Sequence, residues 1–216
     1  MPEAIINNTH LTFSEDTKVI TQDMVKTHRD RVTHITVPEG VEAINEDAFC
    51  LFEKLIAVDL PDSLTTIGEE VFSGCRGLPS VIFPDCLTTI SYRAFSGCTG
   101  LTHLTFDSLT SIEREAFRGC TNLKYLIVPP SLADEDATYW QERGIDTHKT
   151  EIVTLNRLTE ITFPDSLTTI GKFAFRGCIG LTSVTFPNGL TTIYEGAFIN
   201  CAGLTSLALP DSLTTI

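Results

Sequence analysis

A 23-residue segment that recurs along most of the chain constrains the fold more than any other feature. Its clearest copy, Leu181–Gly203, reads LTSVTFPNGLTTIYEGAFINCAG. Altered copies occupy residues 55–77, 78–100 and 158–180, a copy one residue shorter occupies 101–122, a diverged one 32–54 and a truncated one 204–216. A period of roughly 20–29 residues is typical of solenoids, in which each coil packs against its neighbours and all coils share one core.

The head of each copy predicts a short β-strand with one buried face. Leucine at the first position is followed by apolar residues at the fourth and sixth, as in Leu181, Val184 and Phe186. Polar or variable residues stand between them, which is the period-two pattern of a half-buried strand. A proline follows in most copies and ends the strand, because it has no N–H to donate. Leucine at the head with this spacing predicts the leucine-rich-repeat form of solenoid.

The second half of each copy supplies apolar residues at fixed steps, as a shared core requires. A Leu, a Thr-Thr-Ile string and an Ala-Phe pair follow one another. Of the thirteen phenylalanines, four close the head strand and six stand in the Ala-Phe pair or its equivalent. We interpret them as core residues and not as a cofactor pocket. A Gly near the end of most copies, replaced by Asn200 in the last full copy, predicts a turn with positive φ.

Five of the seven cysteines occupy one repeat position: Cys75, Cys98, Cys120, Cys178 and Cys201. Equivalent positions of a solenoid lie side by side in successive coils, and a buried thiol behaves as a small apolar group. We therefore predict reduced, structural cysteines. Disulfide bonds and a metal site are the alternatives, although a zinc site needs clustered ligands such as C-x-x-C, which the sequence lacks.

The repeats divide the chain into four parts. We assign residues 1–31 to an N-terminal cap, 32–122 to leucine-rich repeats 1–4, 123–157 to an irregular repeat with a helical insert, and 158–216 to repeats 6–8, the last incomplete. In the cap, Lys18–Ile20 predicts a short strand, and Thr21 precedes a helix that runs to about His28. The predicted fold class is a repeat solenoid: a leucine-rich-repeat right-handed superhelix of about eight 23-residue coils, with a parallel β-sheet on one face.

Residues 133–157 interrupt the repeat and predict an insert. In DEDATYWQERG the acids come first and a basic residue and Gly144 last, which is the polarity of a capped helix. Glu151–Leu155 predicts a strand that rejoins the stack. The only tryptophan, Trp140, lies in the insert. It either fills the gap left by the missing Ala-Phe-Gly-Cys segment, which we favour, or belongs to a binding surface, as inserts in solenoids often do.

The net charge of −13, from 28 acids and 15 bases, disfavours binding to nucleic acid, because the phosphates would be repelled. It also disfavours docking on an anionic membrane, and no apolar run reaches the ~18–20 residues that a membrane span needs. The N-terminus lacks the basic start and apolar core of a signal peptide. The sequence therefore predicts a cytoplasmic protein, with secretion or surface exposure by another route as the alternative.

The repeated string LTxxxFPDSLTTIGxxAFxGCxG resembles the BspA-like class of leucine-rich repeats, also called the Treponema pallidum type. The likeness covers residues 32–122 and 158–216 and includes the segment Ile-Gly-x-x-Ala-Phe, seen in closely related form at Ile67–Phe72 and at Ile170–Phe175. The resemblance implies a curved solenoid and a protein-binding role, and several members look like adhesins or host-interacting surface proteins. The N-terminal segment and the insert depart from the class.

The sequence selects no catalytic set. The repeat serines recur in Asp-Ser-Leu-Thr strings, which makes them turn residues instead of nucleophiles. The sequence contains no phosphate loop, HExxH or dinucleotide-binding string. We therefore predict that the chain is not an enzyme and has no cofactor or metal site.

Residues that differ between coils stand at the third and fifth positions, whose side chains point away from the core. Eight parallel strands ~4.8 Å apart would place them on one sheet about 35–40 Å wide. Because aromatic and aliphatic side chains dominate protein interfaces, we predict partner binding at the apolar-aromatic cluster of this face and at two acids on its rim: Ile82, His103, Tyr125 and Ile127, with Asp59 and Glu160. His103, like His34 in the first repeat, has a second interpretation as a solvated strand residue.

Three functions compete at this point. The favoured one is a non-catalytic module that binds a partner protein, of unknown identity and with host proteins among the candidates, on the exposed face of the sheet. The alternative is a self-assembling structural or cell-surface adhesin solenoid, in which the apolar edge of residues 204–216 pairs with another copy. The third, an enzyme, has no supporting motif.

Overall fold

The computed structural model describes residues 4–106, 108–154, 156–165, 167–171 and 173–216. Within these ranges the chain forms a β-solenoid of about eight coils of roughly 23 residues, which confirms the predicted fold class. The sequence predictions for residues 1–3, Leu155 and Lys172 lie outside the described residues.

The described elements are short strands with two α-helices. In chain order the strands are β1 Ala4–Asn7, β2 His10–Phe13, β3 Val19–Ile20, β4 His34–Thr36, β5 Ala43–Ile44, β6 Ala57–Asp59, β7 Thr66–Ile67, β8 Thr89–Ile90, β9 His103–Thr105, β10 Ser111–Ile112, β11 Tyr125–Val128, β12 Glu151–Thr154, β13 Glu160–Thr162, β14 Thr169–Ile170, β15 Ser183–Thr185 and β16 Thr192–Ile193. The helices are α1 Gln22–Val25 and α2 Ala137–Glu142, with 3₁₀ turns at Lys26–His28 and Pro130–Leu132.

Two sets of strands run along the coils. The head strands form sheets in the orders β1-β2-β4-β6 and β12-β11-β9, with an isolated bridge from Ile82 to Thr105 beside β9. The short Thr-Ile strands up to Ile112 form a second sheet, in the order β10-β8-β7-β5-β3, and β14 pairs separately with β16. The pairing of β1 with β2 is antiparallel, and the other strand pairs are parallel. The Thr-Ile sheet was not predicted, because strands of two residues are too short to show a period-two pattern.

Phenylalanine rings stack from coil to coil through the core. The Ala-Phe position gives one column of fully buried rings: Phe49, Phe72, Phe95 and Phe117. Successive ring centroids in this column lie 5.5, 5.2 and 5.7 Å apart. Phe175 and Phe198 repeat the arrangement near the end of the chain, with centroids 5.5 Å apart. The prediction that this repeat position is a core step is confirmed.

The cysteine ladder is confirmed as a set of free, structural thiols. Cys75, Cys98, Cys178 and Cys201 are buried and Cys120 is half-buried. Thiols of the ladder donate to a phenylalanine carbonyl of an earlier coil: Cys75 to Phe49 at 3.2 Å, Cys98 to Phe72 at 3.0 Å, Cys120 to Phe95 at 3.1 Å and Cys201 to Phe175 at 3.1 Å. Burial raises the pKa of Cys98 well above its ordinary value and that of Cys120 to about 12. The thiols of Cys98 and Cys120 therefore stay protonated.

The N-terminal segment contains a coil of the solenoid as well as a cap. His10 lies opposite His34 in the head sheet, and Ile20 lies opposite Ile44 in the Thr-Ile sheet. The outer edge is covered by β1, which folds back antiparallel on β2. Helix α1 begins after Thr21 as predicted, although the Thr21 side chain makes no capping hydrogen bond, and the helical segment continues to His28 as a 3₁₀ turn.

The insert closes the far end of the same stack. Trp140 is buried in the core cluster that contains Phe117, which supports its interpretation as a filler of the gap. The backbone N–H of Phe117 donates to the carbonyl of Arg143 at 2.9 Å. In the regular coil before it, the backbone N–H of Phe95 donates to the carbonyl of Ala116 at 2.8 Å. The helix end thus supplies the carbonyl that the missing Ala-Phe segment would have supplied.

The coils form two arrays and not one continuous stack. We call residues 4–154 the first array and residues 156–216 the second array. The chain turns between them, where the Thr154 carbonyl accepts the backbone N–H groups of Arg157 at 2.9 Å and Leu158 at 3.2 Å. Among the described residues, β13 pairs with β15 and with no strand of the first array. The prediction of a single eight-stranded sheet is therefore wrong, because no described strand pairing crosses this turn and because β6 and β9 of the first array already belong to different sheets.

Candidate functional site

The outward side chains of the head strands in the first array form one surface, which we call the strand face. Its members stand at the third and fifth repeat positions or their equivalents: His10, Thr12, His34, Thr36, Ala57, Asp59, Ser80, Ile82, His103, Thr105, Tyr125 and Ile127. The open part runs from His10 to Asp59, and the covered part runs from His103 to Ile127. Ser80 and Ile82 are half-buried at the border between the two parts.

Hydrogen bonds between neighbouring strands order the open part. Thr36 Oγ1 donates to Asp59 Oδ2 at 3.2 Å and lies 2.8 Å from His10 Nε2. A hydroxyl that gives its proton to the carboxylate can only accept from the imidazole, so Nε2 of His10 carries a hydrogen. The His10 and His34 rings lie 6.0 Å apart, and Thr33 Oγ1 lies 2.8 Å from His34 Nδ1. The open part is therefore a polar surface held in a fixed arrangement.

The second array lies on the covered part. The ring of Phe175 stacks on His103 with centroids 4.7 Å apart and an interplanar angle of 28°. Thr105 Oγ1 donates to the Ala174 carbonyl at 2.7 Å. These contacts join strands of the first array to the first coil of the second.

A tyrosine hydroxyl completes this contact. Tyr125 donates its hydroxyl proton to the Thr162 carbonyl at 3.1 Å and accepts the Thr162 N–H at 3.0 Å. Lys124 Nζ donates to the same carbonyl. The backbone of β13 is thus held by side chains of the first array at the place where a preceding coil would otherwise pair with it.

Three of the predicted site residues are buried, so the prediction that they are exposed is wrong. His103 is 1 % exposed, Tyr125 4 % and Ile127 0 %. Tyr125 and Ile127 belong to the core cluster of the second array, together with Phe163 and Phe175. The first coil of the second array has no preceding coil to cover it, and these outward side chains cover it instead. Binding of a separate protein by the three residues stays a prediction, and it requires the second array to move away.

The other three predicted residues lie at or near the surface but not together. Ile82 is half-buried at the border, Asp59 is exposed in the open part, and Glu160 is exposed on β13 of the second array. Their role in binding a partner stays a prediction.

Burial shifts the pKa of both titratable side chains in the covered part, His103 and Tyr125. It lowers the pKa of His103 to about 3, because the imidazolium form loses its hydration. Nδ1 of His103 lies 2.9 Å from Thr102 Oγ1, whereas Nε2 has no hydrogen-bond partner among the described residues. Burial also raises the pKa of Tyr125, so both side chains are neutral at pH 7.

A cleft opens where the second array meets the border of the strand face. We call it the inter-array cleft; it holds about 300 Å³ and has these residues in its lining: His34, Ile56, Ala57, Asp59, Ser80 and Ile82 from the first array, and Gly171, Tyr194 and Glu195 from the second. Two of its large apolar side chains are well exposed, Ile56 at 41 % and Tyr194 at 38 %. Neither was predicted, since Ile56 lies outside the third and fifth positions and Tyr194 comes near only through the turn between the arrays.

A second cleft, of about 450 Å³, adjoins it. Asp59 and Ile82 line both clefts, and Asp62 and Asp85 line this one together with Arg176 of the second array. Acidic and apolar side chains therefore both line the junction.

One group among the described residues has the composition of a metal site. Ligand atoms of Asp47, Cys50 and Glu70 lie within 4.8 Å of one another. Oε1 of Glu70 also lies 3.7 Å from Nη1 of Arg93. The pKa of the Cys50 thiol is raised, mainly by burial and next by the charge of Asp47. A thiol must lose its proton to bind a metal, so these neighbours disfavour such a site.

The last coil leaves apolar side chains in solvent. Leu207, Leu209 and Ile216 are 38 %, 45 % and 80 % exposed. Self-association through this edge stays a prediction. Among the described residues, no helix has the length and hydrophobicity needed to cross a membrane.

Comparisons with known proteins bear on the repeats. The family model described as BspA type Leucine rich repeat region (6 copies) matches residues 6–142 and 153–216, which includes most of the N-terminal segment. The comparison with curated proteins found no match.

The chain is also similar to solved structures. A leucine-rich repeat protein from Eubacterium ventriosum is 20% identical, with 99% of this chain and 65% of that chain covered and a TM-score of 0.53. The Treponema pallidum leucine-rich repeat protein is 20% identical, with 94% and 87% covered and a TM-score of 0.46. The pneumococcal vaccine antigen PcpA is 19% identical, with 98% and 69% covered and a TM-score of 0.39. At 20% identity the likeness to the Eubacterium ventriosum protein concerns the fold alone.

Proposed function

Because the chain belongs to the BspA-type leucine-rich repeat family, whose members are typically protein-interaction or surface proteins, we propose that it is a protein-binding module. It binds a partner protein at the inter-array cleft and the adjoining open part of the strand face. It acts by contact and not by catalysis. The observation that carries the proposal is the exposure of Ile56 of the first array and Tyr194 of the second in the lining of one cleft.

The chemistry of this surface suits a protein ligand. Tyrosine and isoleucine offer large apolar area, and buried aromatic anchors surrounded by polar contacts are typical of the energetic centre of protein interfaces. The open part supplies the polar surround, because Asp59, Thr36 and His10 are already ordered by their own hydrogen bonds. Side chains that are fixed before binding lose less conformational entropy in the complex.

Charge favours a partner that presents basic side chains near the cleft. Asp59 and Glu195 line the inter-array cleft, and Asp62 and Asp85 line its neighbour. The chain as a whole carries a net charge of −13. Complementary charge of this kind mainly raises the association rate and selects among partners.

The test is a capture experiment with matched variants. Immobilised protein and the double variant Ile56→Ser/Tyr194→Ala are compared with Ile199→Ser, which makes the same kind of change at an isoleucine that is 46 % exposed and outside the cleft. We expect proteins that are retained by the wild type and by Ile199→Ser and lost from the double variant, with affinity weakened at least tenfold in a titration of the purified partner. Equal retention on all three would contradict the proposed site.

A further inference from the structure

The contact between the arrays contains one group that cannot change its charge without a penalty. His103 is buried between β9 and Phe175, and its two ring nitrogens have different surroundings. Nδ1 lies beside the Thr102 hydroxyl at 2.9 Å, whereas Nε2 has no partner among the described residues. A neutral imidazole fits this place with its lone pair on Nε2. Protonation makes both nitrogens donors, and the new N–H would be buried without an acceptor.

The charges near His103 do not offset that penalty. A small cavity beside His103 is lined from the second array by Phe173, Ala174 and Arg176, and no carboxylate among the described residues lines it. Tyr125 is the titratable neighbour on β11, and Lys124 lies one residue before it. Glu151 and Glu160 lie near Tyr125, and Asp59, Asp62 and Asp85 line the adjoining cleft together with Arg176. Burial is what lowers the pKa of His103.

The contact that surrounds His103 closes off a surface that resembles a binding site. Tyr125 and Ile127 are large, apolar or amphipathic and adjacent, and they are buried only because the second array lies on them. Between the arrays the Thr154 carbonyl accepts the N–H groups of Arg157 and Leu158, and the first array has its own caps at both ends. The second array is therefore placed to detach as a unit.

We propose that the second array is an acid-released cover of the strand face: protonation of His103 detaches it and makes Tyr125 and Ile127 available to a partner protein. Only the last clause rests on the proposed function, and only on its class of protein binding, because release of the second array separates the residues that line the inter-array cleft. The cover and its release are properties of the chain alone and can be tested without a partner.

The direction and size of the effect follow from the two states of His103. When the cover is closed its pKa is about 3, and when the cover is open the imidazole is hydrated and returns to its ordinary value of 6.5. A base whose pKa is lowered in the closed state stabilises that state fully above pH 6.5 and loses this contribution as the pH falls below 6.5. Between pH 7.5 and pH 5 the ratio of open to closed molecules is expected to rise about 30-fold.

The experiment labels a thiol that is reachable only in the open state. Ile127→Cys places a thiol at a fully buried position of the covered part. Its labelling rate with a dipyridyl disulfide, divided by the rate of the same residue in the urea-unfolded chain at the same pH, gives the open fraction. Native Cys98 is buried in the core of the first array and reports, in the same sample, on unfolding of that array. Peptide mass spectrometry separates the two labels.

Two further variants link the labelling to His103 and to the contact. His103→Phe keeps an aromatic ring against Phe175 and removes the titratable group. If His103→Phe does not fold, His103→Gln is used in its place. At Gly171 a Cβ atom would lie 1.8 Å from Oγ and 3.2 Å from Cβ of Ser80 in the first array, so Gly171→Leu is a wedge between the arrays. Gly189→Leu is its control, because the atom that a Cβ there meets among the described residues is the Asp165 carbonyl oxygen, at 3.5 Å.

The proposal expects the open fraction at Ile127→Cys to rise about 30-fold from pH 7.5 to pH 5, and Gly171→Leu to raise it at pH 7.5 while Gly189→Leu does not. It also expects the pH effect to vanish with His103→Phe or His103→Gln, and Cys98 to stay unlabelled throughout. A change of less than threefold with His103 present, an equal rise without it, or parallel labelling of Cys98 would each overturn the proposal. A wedge without effect at Gly171 would also overturn it.

Discussion

Replacing Ile127 by serine distinguishes a covered strand face from an exposed one. The sequence alone places Ile127 at an outward position, where Ile→Ser changes stability little. In the structure the side chain is 0 % exposed and lies in the core cluster of the second array. The substitution therefore removes a buried aliphatic group and leaves a hydroxyl in its place.

The magnitude follows from two contributions. Truncating a buried isoleucine typically lowers the free energy of unfolding by about 2–5 kcal/mol, because the transfer of the lost atoms and the remaining cavity both count. A buried hydroxyl without a partner adds about 1–3 kcal/mol. We expect Ile127→Ser to lower the free energy of unfolding by about 3–8 kcal/mol in total.

Urea unfolding, followed by far-ultraviolet circular dichroism and by Trp140 fluorescence, measures this loss. Ile179→Ser is the matched control, because Ile179 is 57 % exposed and the same change there is expected to cost less than about 0.5 kcal/mol. If the two variants lose the same small amount, the strand face is open at Ile127, and the contact between the arrays does not exist in solution.

Four further predictions concern the core and its ionisation. Phe95→Ala interrupts the ring column and is expected to lower the free energy of unfolding by about 3–5 kcal/mol; a urea midpoint close to that of the wild type would contradict the column. Trp140→Ala empties the end of the first array and is expected to cost a similar ~3–5 kcal/mol in thermal unfolding monitored by circular dichroism, whereas a loss below about 1 kcal/mol would mean that Trp140 is not a filler. At pH 8 exposed Cys86 is expected to react with a thiol reagent at once and Cys98 only after unfolding, because burial raises the pKa of Cys98. Below pH 6.5 His103 is protonated in the unfolded chain but stays neutral in the folded chain, because burial lowers its pKa. The free energy of unfolding is therefore expected to fall by up to ~1.4 kcal/mol per pH unit relative to that of His103→Phe. Identical pH profiles of the two proteins would exclude this.

The inward half of the repeat was predictable, since its chemistry does not depend on how the arrays are arranged. Leucine, isoleucine, phenylalanine and cysteine recur at fixed steps, and a residue that recurs in every coil must fill the same place in a shared core. Phe95 and Cys98 lie where the period places them. The N-terminal coil was harder to recognise, because α1 replaces the Ala-Phe turn there and only the strand positions of β2 and β3 keep the register.

The sequence did not predict a second repeat position at which the backbone has a positive φ. The Gly position was identified, and Gly74, Gly97, Gly119 and Gly177 do have positive φ, as does Asn200. A few residues earlier, Asp47, Glu70, Arg93, Glu115 and Phe173 have φ between 52° and 57°. A positive φ can be predicted from sequence where the residue is glycine. Among the described residues at this repeat position, that holds for Gly196. Parallel hydrogen bonds between coils hold this conformation, as from Glu70 N–H to the Tyr92 carbonyl at 3.1 Å.

The outward half was predictable in composition but not in exposure. Tyr125 and Ile127 form an apolar-aromatic cluster, and such a cluster indicates an interface without indicating what covers it. The turn after Thr154 decides that question, and it is held by backbone hydrogen bonds from Arg157 and Leu158 to Thr154, where Thr154 and Arg157 lie outside the regular repeat. The inter-array cleft, with Ile56 and Tyr194 on its walls, depends on the same turn.

The covering of β13 and Phe175 by the first array also sets an order of events during synthesis. Coils 4–154 leave the ribosome first and are closed at both ends, by β1 and by Trp140, so they can fold before the second array has been made. Residues 158–180 find their cover only after β9 and β11 have paired. A circular permutant that begins with the second array would therefore emerge with Phe163 and Phe175 in water, and aggregation during translation is the expected result.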